Sequence, residues 1–147
     1  MKNNLSKPEM ADTRQQGYHN IGEASKASGV SSKMIRHYEE IGLIPSANRT
    51  FSKYRIYSMT SIHTLRFIKR TRSLGFPIKI IETLLSLYQD RNRSSANVKQ
   101  VATKHIRELE AKIHELQEMA DLLKQLTKHC YGDMRPECPI LEGMSIN

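Results

Sequence analysis

The chain has little cysteine: Cys130 and Cys138 are the only two in 147 residues, and no tight Cys-x-x-Cys pair occurs. That excludes a disulfide-stapled domain and a four-thiolate structural zinc site. No apolar run approaches the length of a membrane span, and residues 1–17 hold no apolar export core. A cytoplasmic protein with no membrane partner is expected, its two cysteines kept as thiols. There is no glycine-rich phosphate loop and no Cys/His/Asp constellation of catalytic spacing, so an enzyme is not expected. Acidic residues are scarce in one part only. Residues 1–93 hold 16 Lys and Arg against 7 Asp and Glu, a balance of +9, whereas residues 94–147 hold 7 against 8, a balance of −1. This asymmetry predicts a polyanion partner for the first part, nucleic acid ahead of an anionic surface.

Glycine and proline are absent from residues 95–128. Within that stretch Val98, Ala102, Ile106, Leu109, Ile113, Leu116, Ala120 and Leu123 recur in steps of three and four, one stripe along a helix. Glu108, Glu110, Lys112, Glu115, Glu118 and Lys124 occupy the flanking faces. Such a helix spans about 50 Å at 1.5 Å per residue, more than a small domain can cover. A second copy of the chain is the simplest partner, and a homodimer joined through this helix is expected.

Taken in order, residues 1–19 read as a disordered extension. Asn20 caps a short helix, Ile21 to Ser28, and Gly29 suits the turn after it. Ser31 or Ser32 caps a second helix with Met34, Ile35, Tyr38 and Ile41 on one side and Lys33, Arg36 and His37 on the rest; Gly42 and Pro45 end it. On pattern alone, a helix-turn-helix and a plain helical hairpin with a solvated basic face are equal readings. The alternating segment from Arg49 to Tyr57 tilts the balance toward the first. It predicts a two-stranded wing whose aromatic residues brace Arg49, Lys53 and Arg55 against phosphates. Lys53 stands at the turn where glycine would be easier. Helices are expected from Thr60 to about Leu74 and from Pro77 to near Tyr88, then a polar hinge, with Ser95 as the cap of the long helix.

The segments Ile21-Gly22-Glu23-Ala24, Ile35-Arg36-His37-Tyr38-Glu39-Glu40-Ile41-Gly42-Leu43-Ile44 and Tyr54-Arg55-Ile56-Tyr57 resemble the MerR family of bacterial transcription regulators. Cys130-Tyr131-Gly132-Asp133-Met134-Arg135-Pro136-Glu137-Cys138-Pro139-Ile140 is similar to the metal loop of its copper-efflux members. The resemblance implies a mainly α fold: a winged helix-turn-helix domain with a second helical pair over 20–93, a dimerisation helix over 94–128 forming an antiparallel coiled coil, and a metal loop with a short helix over 129–147. It also implies a mechanism, in which the inducer-bound dimer distorts an over-long promoter spacer so that RNA polymerase can engage double-stranded promoter DNA. Arg36, Tyr38, Arg49, Tyr54 and Arg55 are implied as DNA contacts, and Cys130 and Cys138 as metal ligands. Relatives that sense divalent ions place a cysteine where this chain has Ser95, which is thereby implied as a selectivity position.

Read as chemistry, seven residues including Gly132 and Pro136 leave slack for Cys130 and Cys138 to meet. Soft thiolates select Cu(I), with Ag(I) and Au(I) as congeners, and two satisfy a linear ion. Pro139 at the start of a helix sets Cys138 at its N-terminus, where a thiolate is favoured. A redox disulfide and two inert thiols are the alternatives to a metal site. The function expected is a Cu(I)-responsive transcriptional activator, with a thiol-redox regulator as the second reading.

Overall fold

The computed structural model describes residues 14–145. Of the expected disordered extension, residues 1–13 lie outside the described residues. The chain forms two compact units that meet between Arg93 and Ser94.

In the first unit, strand β1 (His19–Asn20) leads directly into helix α1 (Ile21–Ser28). The junction is a capping box. Asn20 accepts from the Glu23 amide at 2.8 Å, and the Glu23 carboxylate accepts from the Asn20 amide at 3.0 Å, so two helix-end donors are satisfied reciprocally. Arg14 closes on the other side of Glu23 at 2.7 Å. Described structure thus begins before Asn20, where the sequence pattern set its start. Residues 14–19 are held by hydrogen bonds and ion pairs, which leave no hydrophobic period to read.

Gly29 ends α1 with φ 73°, and a Cβ there would run into the Lys69 side chain. Helix α2 (Ser32–Glu40) follows, capped by Ser31, with Gly42 in the left-handed conformation after its end. Of its expected apolar side, Ile35 and Tyr38 are buried, while Met34 and Ile41 remain exposed. Strands β2 (Asn48–Arg49) and β3 (Arg55–Tyr57) pair antiparallel, and β3 also pairs with β1, giving the order β1-β3-β2. The expected two-stranded wing is thus present as β2 and β3, and β1 adds a third strand to its sheet. A two-residue edge strand has no alternation to betray it.

Helix α3 (Met59–Ser73) starts at a Ser58 cap, one residue ahead of the expected Thr60 start, and buries Ile62, Leu65 and Ile68 completely. Arg66 donates to the Ala27 carbonyl at 2.9 Å, tying α3 to the last turn of α1. Helix α4 (Ile78–Gln89) begins after Pro77, whose missing N–H leaves no donor to satisfy there. Phe67 stacks on Tyr88 at 5.0 Å, joining α3 to α4.

The second unit is helix α5 (Ser95–Lys128) with the short helix α6 (Pro139–Ser145) against its end. Ser94, not Ser95, supplies the cap, accepting from the Asn97 amide at 3.3 Å. A Cβ on Gly143 would run into Leu126, so α6 lies against the last turns of α5 at glycine distance. No described helix is long and apolar enough to cross a membrane. Ile106, Ile113, Leu116, Met119 and Leu123 stand exposed along α5, Leu116 at 63 %. Burying one such side chain contributes roughly 1.5–3 kcal/mol, so the stripe is a large unused driving force for association. Leu116→Asp places an unpaired charge in that stripe and is expected to leave the protein monomeric. Sedimentation that still finds a dimer for this variant rules the stripe out as the dimer seam.

Candidate nucleic-acid interface and cysteine cleft

The wing tip is built on Thr50, which is almost fully buried. Its carbonyl accepts from the Lys53 amide at 3.0 Å, its amide donates to the Tyr54 carbonyl at 2.9 Å, and its hydroxyl accepts from the Tyr54 amide at 3.1 Å. The three-residue loop Phe51-Ser52-Lys53 closes with Lys53 in the left-handed conformation, φ 65°. This is the tight turn followed by a left-handed residue that such hairpins favour, with lysine where glycine would be unstrained. Arg49 donates to the Lys53 carbonyl at 3.0 Å and holds the tip shut. Phe51, Lys53 and Tyr54 project into solvent from it.

On α2, Lys33, Arg36 and His37 are exposed and share the outer face. Tyr38 departs from the expectation of a DNA contact: at 4 % exposure it is a core residue, with its ring 6.2 Å from that of His37. Its place between Ile35 and Ile41 in the apolar spacing outweighs its phenol. Arg55 is only partly free. Its Nε donates to Glu39 Oε2 at 3.2 Å, and the Tyr57 hydroxyl donates to Glu39 Oε1 at 2.5 Å. The Tyr57 phenol is pushed far above its ordinary range, first by burial and then by Glu39, against smaller opposing effects of Arg55 and Arg36. Glu39 and Tyr57 belong to this interface and were not singled out from sequence. The available signal was a pair of acids, Glu39 and Glu40, closing a helix whose other charged residues are cations.

In the second unit, Cys130 and Cys138 are free thiols, half-buried, and they line one cleft with His129, Asp133, Arg135 and Glu137. The other donors there are largely engaged. His129 donates from Nδ1 to the Gln125 carbonyl at 2.8 Å, one turn back along α5. Asp133 accepts from the Arg135 side chain at 2.7 Å and from its amide at 3.1 Å, which holds the carboxyl below its usual range. The Arg135 guanidinium also lies 4.8 Å over the Tyr131 ring. Among the described residues, no three His, Cys, Asp or Glu side chains come together as a metal-holding group. Ser95 is exposed at the first position of α5.

A basic recognition helix beside a wing, on a chain with an extended apolar-striped helix, defines a winged helix-turn-helix DNA-binding regulator. Residues 20–57 match the model of the MerR family regulatory protein, and residues 62–126 that of the MerR DNA-binding region. The chain is 60 % identical over 126 residues to the HTH-type transcriptional regulator HmrR of Sinorhizobium medicae, covering 86 % of each chain. Identity to the regulator CueR of Salmonella typhimurium is 36 % over 126 residues, 86 % of this chain and 91 % of that one. The crystal structure of the transcription regulator PbrR691 from Ralstonia metallidurans, in complex with lead(II), superposes with a TM-score of 0.76 at 28 % identity, covering 86 % of this chain and 99 % of that one. The chain belongs to the MerR family of transcription regulators, which bind promoter DNA as dimers and are not enzymes.

The strained wing tip gives a stability test. Lys53→Gly removes a left-handed non-glycine residue and is expected to stabilise the fold by about 1 kcal/mol, seen as a higher thermal midpoint. The same change removes a cation from the tip, so duplex affinity is expected to fall as stability rises. An unchanged or lowered midpoint shows that the turn is unstrained.

Proposed function

We propose that the protein is a cytoplasmic, heavy-metal-responsive transcriptional activator whose inducer is a soft monovalent ion: Cu(I), with Ag(I) and Au(I) as congeners. The observation that carries this reading is a cleft shared by two free thiols, Cys130 and Cys138, while Asp133 and His129 Nδ1 beside them are taken up by Arg135 and the Gln125 carbonyl. Two thiolates suit a linear soft ion and fall short of the three or four donors a divalent ion wants. HmrR and CueR are HTH-type transcriptional regulators related to this chain, and other relatives from Rhizobium meliloti are named heavy metal-dependent transcription regulators.

In this reading Cys130 and Cys138 hold the ion, and its bonds to both sulfurs tie the end of α5 to the start of α6. Ser95 keeps the site two-coordinate, because its hydroxyl is a poor ligand for a soft ion where divalent sensors carry a thiolate. The dimer seats Lys33, Arg36 and His37 in the major groove, and sets Arg49, Lys53, Tyr54 and Arg55 of the wing on the backbone. Inducer binding then lets the dimer bend and untwist an over-long spacer, and RNA polymerase engages the realigned promoter.

The test is a promoter assay paired with titration of purified protein under strong reductant. Cu(I), Ag(I) and Au(I) are expected to bind and activate, and Zn²⁺ and Hg²⁺ to fail. Cys130→Ser or Cys138→Ser is expected to silence the response while operator binding persists, and Ser95→Cys to extend it to divalent ions. Equal responses of the wild type to Zn²⁺ and Cu(I) overturn the two-coordinate site. Activation by an oxidant in metal-free buffer favours the disulfide reading.

A further inference from the structure

The recognition helix carries two carboxylates: Glu40 is exposed beside Lys33, Arg36 and His37, whereas Glu39 is turned inward toward the wing. The Glu39 side chain is only 8 % exposed, on the last turn of the recognition helix. Each of its oxygens has its own partner on the central wing strand: Oε2 accepts from Arg55 Nε at 3.2 Å, and Oε1 from the Tyr57 hydroxyl at 2.5 Å. Tyr57 is itself 2 % exposed, so this end of the link is fixed in the core. Arg55 is 31 % exposed and makes no other side-chain hydrogen bond among the described residues, which leaves its terminal nitrogens for an outside acceptor.

We propose that Glu39 is a positioning residue for operator recognition: by binding Arg55 and Tyr57 at once, it locks the wing to the recognition helix and aims the Arg55 guanidinium at the duplex backbone. The inference rests on α2 and the wing being the duplex-binding elements. Its physical content is a conflict of signs. A negative charge beside DNA phosphates repels them, so neutralising an idle acid tightens binding to any duplex. Neutralising a positioning acid does the opposite to the operator alone, because groove and backbone contacts lose their common frame. A buried, doubly bonded carboxylate also resists leaving its partners, since hydrogen bonds to charged groups are the strong ones and an orphaned partner is penalised.

The experiment measures affinity of the full-length dimer for its operator and for a random duplex of equal length, across a salt series, with thermal unfolding recorded for every variant. Glu39→Gln removes the charge and replaces two acceptor oxygens by one. It is expected to lower operator affinity about ten-fold or more while random-duplex affinity holds or rises, so the specificity ratio collapses. Tyr57→Phe leaves the charge untouched and is expected to lower the same ratio, by roughly three-fold or more, as for a lost hydrogen bond. Tighter binding of Glu39→Gln to both duplexes overturns the proposal. Should Glu39→Gln fail to fold, Tyr57→Phe decides: a reduced ratio upholds the clamp and an unchanged ratio refutes it. Arg36→Ala serves as the control for the interface. If it leaves operator binding intact, the duplex-binding assignment of α2 fails, a result distinct from any failure of the clamp.

Discussion

The stripe of apolar side chains on α5 has nothing to cover it within one chain, and the rest of the molecule is arranged around that fact. A 34-residue helix with most of its surface wet has little besides its own backbone hydrogen bonds to hold it. Helical stability in proteins comes chiefly from packing an amphipathic face, so this half of the chain is incomplete alone. Covering the stripe with a second copy would make dimerisation part of folding and tie stability to protomer concentration. It also makes every feature of the first unit a pair. Two modest basic surfaces on one body act at high effective concentration, which suits a site with two half-sites.

The first unit solves a different problem. It must expose cations, since they are its means of binding, and still hold two short helices and a three-stranded sheet in one arrangement. Apolar burial is concentrated in a few fully enclosed residues, Ile35, Ile62, Leu65, Ile68 and Ile81, and local devices do the remainder. The capping box at Asn20 and Glu23, the Arg66 bond to the Ala27 carbonyl and the Arg49 bond across the wing tip are each short, directional and charge-assisted. A protein that cannot spare its surface for packing relies on hydrogen-bond geometry instead.

Much of this was legible in the sequence where a period or a cap exists to be read. The long helix announced itself through spacing and the absence of breakers, and α1 through Asn20 and Gly29, both of which hold their expected positions. Helix starts were less sharp: α3 begins at Met59 behind a Ser58 cap, one residue ahead of the expected Thr60, and Ser94 caps where Ser95 was expected, because neighbouring hydroxyl residues carry nearly the same capping propensity. Strand β1 was invisible, since two residues carry no alternation. Within the candidate site, the exposure of Arg36 and Lys53 and the meeting of Cys130 and Cys138 at one cleft were readable. Residues whose value lies in contacts across the fold were not. Tyr38 looked like a contact and is a core ring, whereas Glu39 and Tyr57 meet across 18 residues of chain.

The close approach of Gly143 to Leu126 bears on how the cysteine loop tolerates change. Each cysteine is fixed to its own helix by a backbone bond: the Cys130 amide donates to the Thr127 carbonyl at 3.1 Å, and the Cys138 carbonyl accepts from the Glu142 amide at 3.0 Å. The seat of α6 on α5 and the Asp133–Arg135 and Arg135–Tyr131 contacts between the cysteines together shape the loop. Any side chain at position 143 has to displace the tip of Leu126, so the seating of α6 on α5 is sensitive to that position.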